Sequence, residues 1–179
     1  MENKSNNIIT NENETPEDIE SINRVNVSAF GRLGEAAVVD ELRDNCEVFL
    51  SLVAKREDEV IGHILFTPVF IEQPGGKPVE GLGLAPLAVS PEYQGLGVGS
   101  ALCQAGLTAA EKSGSPFVIV LGHPGYYPHF GFELASDYDV ACSYPDVPQE
   151  AFMIKILDSE KMSDVSGIAY YRPEFDNVT

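Results

Sequence analysis

The sequence predicts one globular domain of mixed α/β class, and three observations support this prediction. The chain has 179 residues, of which 44% are hydrophobic, so it is long and apolar enough to bury a core. Three apolar segments separated by tight turns predict an antiparallel meander. A strand, a helix and another strand follow, which predicts a parallel crossover on the same sheet. We therefore expect a single domain over residues 1–179, with a core from about 7 to 157 and frayed ends.

The N-terminal part is predicted to hold a short strand over 7–10 and two helices. Thr15 is suited to cap the first helix, and Pro16 suits its first position. The apolar residues of this helix recur at roughly helical spacing, and they are Ile19, Ile22, Val25 and Phe30. Gly31 then interrupts the pattern, and a second helix is predicted over 35–43.

The meander and the crossover follow in order along the chain. The meander strands are predicted over 47–55, 60–71 and 80–89. The later elements are a helix over 97–112, a buried strand over 117–121, a short helix over 124–130 and a late strand over 151–157. Together these elements predict a central mixed sheet flanked by helices.

The charge of the chain excludes one class of function. The formal net charge is −17, which argues against nucleic-acid binding because such proteins present Lys and Arg to phosphates. Two interpretations of the acidity stay open: it favours cationic substrates such as amines, or it only keeps the protein soluble. The polar N-terminus and the lack of a long apolar run predict neither a secretory signal nor a membrane span, and hence a cytoplasmic protein.

The three cysteines indicate no metal site. Cys46, Cys103 and Cys142 form no C-x-x-C pair, and no histidine lies at zinc-ligand spacing from them. We expect three reduced thiols and no bound metal.

A glycine-rich turn between a strand and a helix carries the chemistry. Gly95, Gly97 and Gly99 have no side chains, so the backbone there is accessible on one side and can adopt unusual dihedral angles. Several N–H groups can then converge at the positive end of the helix, which is an anion site suited to phosphate. The G-x-G-x-G spacing does not match the dinucleotide motif G-x-G-x-x-G, and the turn lacks the lysine of a P-loop. The alternative is that these glycines only permit a tight turn and close helix packing.

Two motifs identify a resemblance to a known family. Gln94-x-x-Gly97-x-Gly99 matches the Q/R-x-x-G-x-G/A signature of the GNAT superfamily of acetyl-CoA-dependent N-acetyltransferases, and the segment 126–132 resembles its Y-x-x-x-G-F motif. Within the superfamily, the chain looks most like the YhbS-type branch. The resemblance covers roughly 48–132. It implies the GNAT-type acyl-CoA N-acyltransferase fold, in which an antiparallel meander is joined to a splayed parallel pair of strands.

The resemblance also implies which residues bind acetyl-CoA. The backbone of the turn would hold the coenzyme pyrophosphate, through Gln94, Gly95, Leu96, Gly97, Val98, Gly99 and Ser100. The strand residues Leu87, Ala88 and Val89 would bind the pantetheine arm in the manner of an added strand. One of their N–H groups would polarise the thioester carbonyl.

The same resemblance assigns a proton donor but no base. Tyr127 stands where the family keeps a tyrosine that protonates the leaving thiolate, although an aromatic ring that only packs under the coenzyme is the alternative. Candidates for the base that deprotonates the amine are His63, Glu80, His123 and His129. A water chain to bulk solvent is an equal alternative.

The turn departs from its relatives in one respect. Many of them place Arg or Lys where Leu96 stands, whereas here the nearest basic residues along the chain are Lys77 and Lys112. The coenzyme phosphates would then rest on backbone dipoles in an acidic protein. Salt that screens the repulsion is therefore expected to aid binding.

The function that the resemblance implies is transfer of an acetyl group from acetyl-CoA to a primary amine by direct attack. The acceptor is a small-molecule amine or a protein N-terminus, and the late strands allow a homodimer. The alternative is a non-catalytic acyl-CoA-binding or regulatory module on the same fold, because a fold alone does not guarantee activity.

Overall fold

A computed structural model describes residues 9–47 and 49–177, with the side chain of residue 177 excepted. The described residues form four α-helices, which are α1 Ile19–Phe30, α2 Gly34–Asn45, α3 Val98–Lys112 and α4 Ser159–Met162. They also form nine strands, which are β1 Ile9–Asn13, β2 Leu50–Arg56, β3 Glu59–Glu72, β4 Val79–Val89, β5 Phe117–Leu121, β6 Glu133–Leu134, β7 Val140–Cys142, β8 Phe152–Ile156 and β9 Gly167–Tyr170. Residues 7 and 8 of the predicted first strand lie outside the described residues.

The strands form the predicted mixed sheet. Their order is β1-β2-β3-β4-β5-β8-β6, and β9 pairs with both β3 and β7. Strands β4 and β5 are parallel, as the predicted crossover through α3 requires, and β5 and β8 are antiparallel. The predicted meander strands correspond to β2, β3 and β4.

The chain divides into two compact units, and β3 and β4 contribute to both. The described part of the first unit comprises 9–65 and 86–106, and that of the second comprises 66–85 and 107–177. Buried side chains of the first unit include Ile22, Leu42, Val53, Ile61 and Leu102. The core of the second unit includes Val69, Ile71, Phe117, Ile119, Phe152 and Ile154. The single domain that we predicted stays a prediction.

Helix α1 departs from its predicted pattern at one end. Ile22 and Val25 are buried as expected, but Phe30 is 39% exposed. The reason is that the helix stops at Gly31, whose φ of +69° turns the chain away directly after Phe30. Asn26, a polar residue, is fully buried on this helix instead.

The structure contains no feature of a membrane span or a disulfide in its described part. None of the helices within 9–47 and 49–177 has the length and apolar character needed to cross a bilayer. The three cysteines all lie in these ranges, and none is in a disulfide.

Candidate active site

The glycine turn adopts the conformation that an anion site needs. Gly95 has a φ of +73° and Gly97 a φ of +86°, which side-chain-bearing residues rarely adopt. The first hydrogen bond of α3 runs from the Ala101 N–H to the Gly97 carbonyl, at 3.0 Å. The N–H groups of Val98, Gly99 and Ser100 therefore have no acceptor within the helix. N–H groups left free in this way at a helix start can bind an anion.

Close packing does not explain these glycines. A Cβ atom at Gly95 or Gly97 would have no heavy atom within 4 Å, so the space around both is open. The residue that permits packing is Gly62 on β3, where a Cβ would lie 2.9 Å from Leu102 Cδ1 on α3. The alternative that the turn glycines serve only helix packing is thus not supported at Gly95 and Gly97.

Side-chain and backbone hydrogen bonds fix the turn to the sheet. The Gln94 side chain folds back and its Nε2 donates to the Val89 carbonyl at 2.9 Å. The Ser90 N–H donates to the Ile61 carbonyl on β3, also at 2.9 Å. The Gln94 side chain therefore joins the two ends of the turn. The Gln94 N–H itself donates to the Pro91 carbonyl at 3.3 Å.

The strand residues predicted to bind the coenzyme lie beyond the part of β4 that pairs with β5. The parallel register joins Leu82–Leu84 to Val118–Val120 and ends there, while β4 continues to Val89. Ala88 is buried, and Leu87 and Val89 are half-buried. An unpaired strand edge of this kind can accept an added strand-like ligand.

Tyr127 is held by aromatic neighbours and by a glycine that sequence reasoning missed. Its ring is 9% exposed and makes edge contacts with Tyr126 and Phe132, at centroid distances of 5.1 and 5.6 Å. A Cβ at Gly122 would lie 2.2 Å from Tyr127 Cε2, so a glycine is required there. The signal in the sequence is a glycine directly after the buried strand β5.

His63 is a core residue and cannot act as the base in this structure. Its side chain has no exposed surface. Its Nδ1 lies 3.1 Å from Asn26 Nδ2 and its Nε2 lies 3.0 Å from Ser51 Oγ. Asn26 Nδ2 also donates to the Ile22 carbonyl at 2.9 Å, which identifies it as the donor to Nδ1. The Nε2–H then donates to Ser51, whose hydroxyl donates to Glu14.

This buried network predicts a loss of stability in acid. Burial lowers the pKa of His63 to about 4, from 6.5. The unfolded chain therefore binds more protons than the folded chain as the pH falls from 6.5 to 4, and the free energy of unfolding decreases by about 3 kcal/mol over that range. Urea unfolding at a series of pH values measures how steeply the free energy of unfolding changes with pH, and this steepness is the slope to be compared.

The matched variants for this measurement are His63→Gln and His129→Gln. His63→Gln removes the titrating group and should flatten the slope between pH 6.5 and pH 4, whatever its effect at neutral pH. His129 is exposed, so His129→Gln should keep the slope of the wild type. An unchanged slope in His63→Gln would show that His63 does not carry the acid sensitivity.

The other three base candidates are all exposed to solvent. Glu80, His123 and His129 all belong to the second unit. His129 Nδ1 lies 3.1 Å from the Tyr126 carbonyl, so one of its ring nitrogens is engaged. A solvent route for the proton therefore stays among the alternatives.

An arginine that is distant in sequence lies beside the glycine turn. The Arg56 guanidinium carbon is 5.8 Å from the centroid of the Tyr93 ring, and Nη1 is 3.4 Å from the Tyr93 hydroxyl. Tyr93 directly precedes Gln94. Among the arginines, all of which lie in the described ranges, Arg56 is the one with no carboxylate oxygen of a described residue within 4.0 Å. Sequence spacing missed it because it is 37 positions from Tyr93.

The second unit contains a cavity with an acidic lining. Its volume is about 500 Å³, within the usual range for small-molecule sites. The charged side chains that line it are Asp139 and Asp146, and apolar lining comes from Val140, Val147 and Phe152. Among the described residues, no three His, Cys, Asp or Glu side chains are grouped so that they could hold a metal ion. The two carboxylates suit a positively charged group, and the apolar side chains suit an apolar part of the same ligand.

The family assignment follows from comparison with known proteins. Residues 12–135 match the model of the acetyltransferase (GNAT) domain. The chain belongs to the GNAT family of acetyltransferases. The predicted family, fold class and enzyme class are thereby confirmed.

Several relatives in the GNAT family are similar over most of their length. The chain is 34% identical to the uncharacterized N-acetyltransferase YhbS of Escherichia coli strain K12, over 91% of this chain and 96% of YhbS. It is 39% identical to the uncharacterized N-acetyltransferase YjhQ of the same strain, over 88% of this chain and 89% of YjhQ.

Two solved GNAT structures have the same fold. The crystal structure of Escherichia coli YhbS in complex with CoA matches with a TM-score of 0.87 and 32% identity, covering 96% of this chain and 93% of that one. A GNAT acetyltransferase from Brucella melitensis in complex with acetyl-CoA matches with a TM-score of 0.76 and 30% identity, covering 95% and 99%.

Proposed function

We propose that this protein transfers an acetyl group from acetyl-CoA to a primary amine by direct attack. The observation that carries the proposal is the turn at Gly95 and Gly97, whose positive φ angles precede a helix start with unbonded N–H groups. The relatives that were crystallised with CoA and with acetyl-CoA support the same donor.

In the proposed reaction, the site residues have the roles that the family resemblance implies. The backbone from Gln94 to Ser100 binds the pyrophosphate, and the edge from Leu87 to Val89 binds the pantetheine arm. The amine nitrogen forms a bond to the carbonyl carbon as the carbon–sulfur bond breaks. Tyr127 gives its proton to the departing thiolate, and the amine loses a proton to an exposed base or to water. An N–H group of the strand stabilises the negative charge on the carbonyl oxygen.

The acceptor that we favour is an amine carrying a second positive charge. The net charge of −17 and the cavity lined by Asp139 and Asp146 support this choice. A homodimer and a cytoplasmic location stay predictions.

The experiment is a thiol-release assay with acetyl-CoA and a panel of amines. The panel pairs each diamine with the monoamine of equal chain length and includes peptides with a free N-terminus. Thiol release that requires an amine supports the proposal, and faster release with the diamines supports the acidic acceptor site. Binding of acetyl-CoA without release on any amine would instead favour the non-catalytic acyl-CoA-binding module.

We expect Arg56→Gln to weaken coenzyme binding about tenfold. In this proposal Arg56, beside the glycine turn, contacts a coenzyme phosphate. Its neighbours Glu57, Asp58 and Glu59 are acids, so loss of Arg56 would leave that phosphate beside acids alone. One charge-assisted contact contributes about 1.5–3 kcal/mol when desolvated and less when exposed, which sets the tenfold estimate. Titration calorimetry with CoA at low and high salt measures the effect.

The matched control is Arg32→Gln, which changes the net charge equally at an exposed arginine paired with Glu35. Its CoA affinity should equal that of the wild type. Equal affinities for Arg56→Gln and Arg32→Gln would contradict a specific role for Arg56. Added salt should narrow the difference between Arg56→Gln and the wild type, because it screens both attraction and repulsion.

A further inference from the structure

Tyr171 is held rigidly in the second unit, directly after β9. A Cβ at Gly83 on β4 would lie 2.8 Å from Tyr171 Cε1, so the ring lies against the bare backbone of that strand. The ring stacks on Tyr144 at a centroid distance of 6.0 Å and an interplanar angle of 22°, and it makes an edge contact with Phe175 at 5.7 Å. Its position is therefore determined by contacts on several sides.

The Tyr171 hydroxyl is shielded from solvent; the main-chain N–H of Leu121 approaches its oxygen, but among the described residues none accepts its O–H hydrogen. Burial raises its pKa well above 10, with further contributions from Cys142, Tyr144 and Tyr127, while the main chain of Leu121 acts in the opposite direction. The phenol therefore stays protonated at neutral pH. A buried O–H donor without an acceptor costs folding free energy, so its presence calls for an explanation outside the fold.

The Tyr171 hydroxyl and the Tyr127 ring approach the same end of β5. The main chain of Leu121, which influences the Tyr171 hydroxyl, directly precedes Gly122, against which the Tyr127 ring packs. Both phenols thus approach consecutive residues at the end of β5. The effect of Tyr127 on the pKa of Tyr171 is consistent with this proximity.

We propose that the Tyr171 hydroxyl is a second hydrogen-bond donor to the thioester group of acetyl-CoA, beside Tyr127. It donates a hydrogen bond and keeps its proton, so no bond is made or broken at Tyr171. The role rests on the proposed function, in which Tyr127 acts at the same thioester. A donor kept unpartnered for the substrate explains why a buried hydroxyl is retained where phenylalanine would pack equally well.

The test is Tyr171→Phe, with Tyr170→Phe as the matched control. The first variant keeps the ring contacts and removes the hydroxyl, and the second removes the same group from the neighbouring residue, which is 39% exposed. We expect Tyr171→Phe to unfold at an equal or higher urea concentration than the wild type. Its Kd for acetyl-CoA should rise about five- to tenfold, as expected for loss of one hydrogen bond. Tyr170→Phe should match the wild type in both measurements.

Titration with CoA identifies the atom that accepts the bond. If the carbonyl oxygen accepts the hydrogen bond, Tyr171→Phe leaves the Kd for CoA unchanged, because CoA lacks the acetyl group. If the sulfur accepts it, the Kd for CoA and the Kd for acetyl-CoA both rise. An unchanged Kd for both ligands would overturn the proposal, and so would a clearly lower urea midpoint, which would mean that the hydroxyl has a structural partner. A wild type that binds no acetyl-CoA would contradict the proposed function instead.

Discussion

Tyr127→Phe is expected to lower kcat for acetyl transfer about a hundredfold, the lower end of the usual contribution of a general acid. The departing thiolate would lose its proton donor, while the aromatic contacts with Tyr126 and Phe132 remain. The Kd for acetyl-CoA should stay within about twofold of the wild-type value, because a hydrogen bond that matters only as charge develops contributes little to ground-state binding. Steady-state kinetics and calorimetry separate the two quantities.

The neighbouring phenol provides the control for this variant. Tyr126→Phe removes a hydroxyl one residue earlier and should keep kcat near the wild-type value. Unchanged turnover in Tyr127→Phe would remove Tyr127 from its proposed role and leave the ring as packing under the coenzyme. A rise in Kd without a change in kcat would lead to the same conclusion.

Gly97→Val is expected to weaken acetyl-CoA binding about a hundredfold. Valine is strained at a φ of +86°, so the turn would change its backbone path and its N–H groups would no longer converge. Loss of one or two charge-assisted hydrogen bonds, each contributing about 1.5–3 kcal/mol, accounts for the size of the effect. Fluorescence or calorimetric titration with CoA measures it.

Gly75→Val separates coenzyme binding from backbone strain. Gly75 lies in the turn after β3, has a φ of +71° and, like Gly97, would have no heavy atom within 4 Å of an added Cβ. Both variants should lose about 1–2 kcal/mol of unfolding free energy, but only Gly97→Val should lose coenzyme affinity. Equal CoA affinity in the two variants would be evidence against an anion site in the turn at Gly97.

Some features could be predicted because they depend on neighbours in sequence. The glycine spacing after a strand predicts both the positive φ angles at Gly95 and Gly97 and the helix start that follows. The long strands β3 and β4 could be predicted because each contains enough apolar residues between turns to be identified as a strand. Strands β6, β7 and β9 were missed because they are two to four residues long and depend on partners elsewhere in the chain.

The sequence by itself determined the local chemistry of this protein. It specifies a glycine turn with positive φ angles at a helix start, and it places Tyr127 four residues before Gly131. Only the tertiary structure decided which distant side chains join that chemistry. It buried His63 in a network with Asn26 and Ser51, placed the Arg56 guanidinium beside the Tyr93 ring, and left the Tyr171 O–H without an acceptor among the described residues. The physical reason is that backbone angles follow from adjacent residues, whereas burial and contact depend on how segments far apart in sequence pack together.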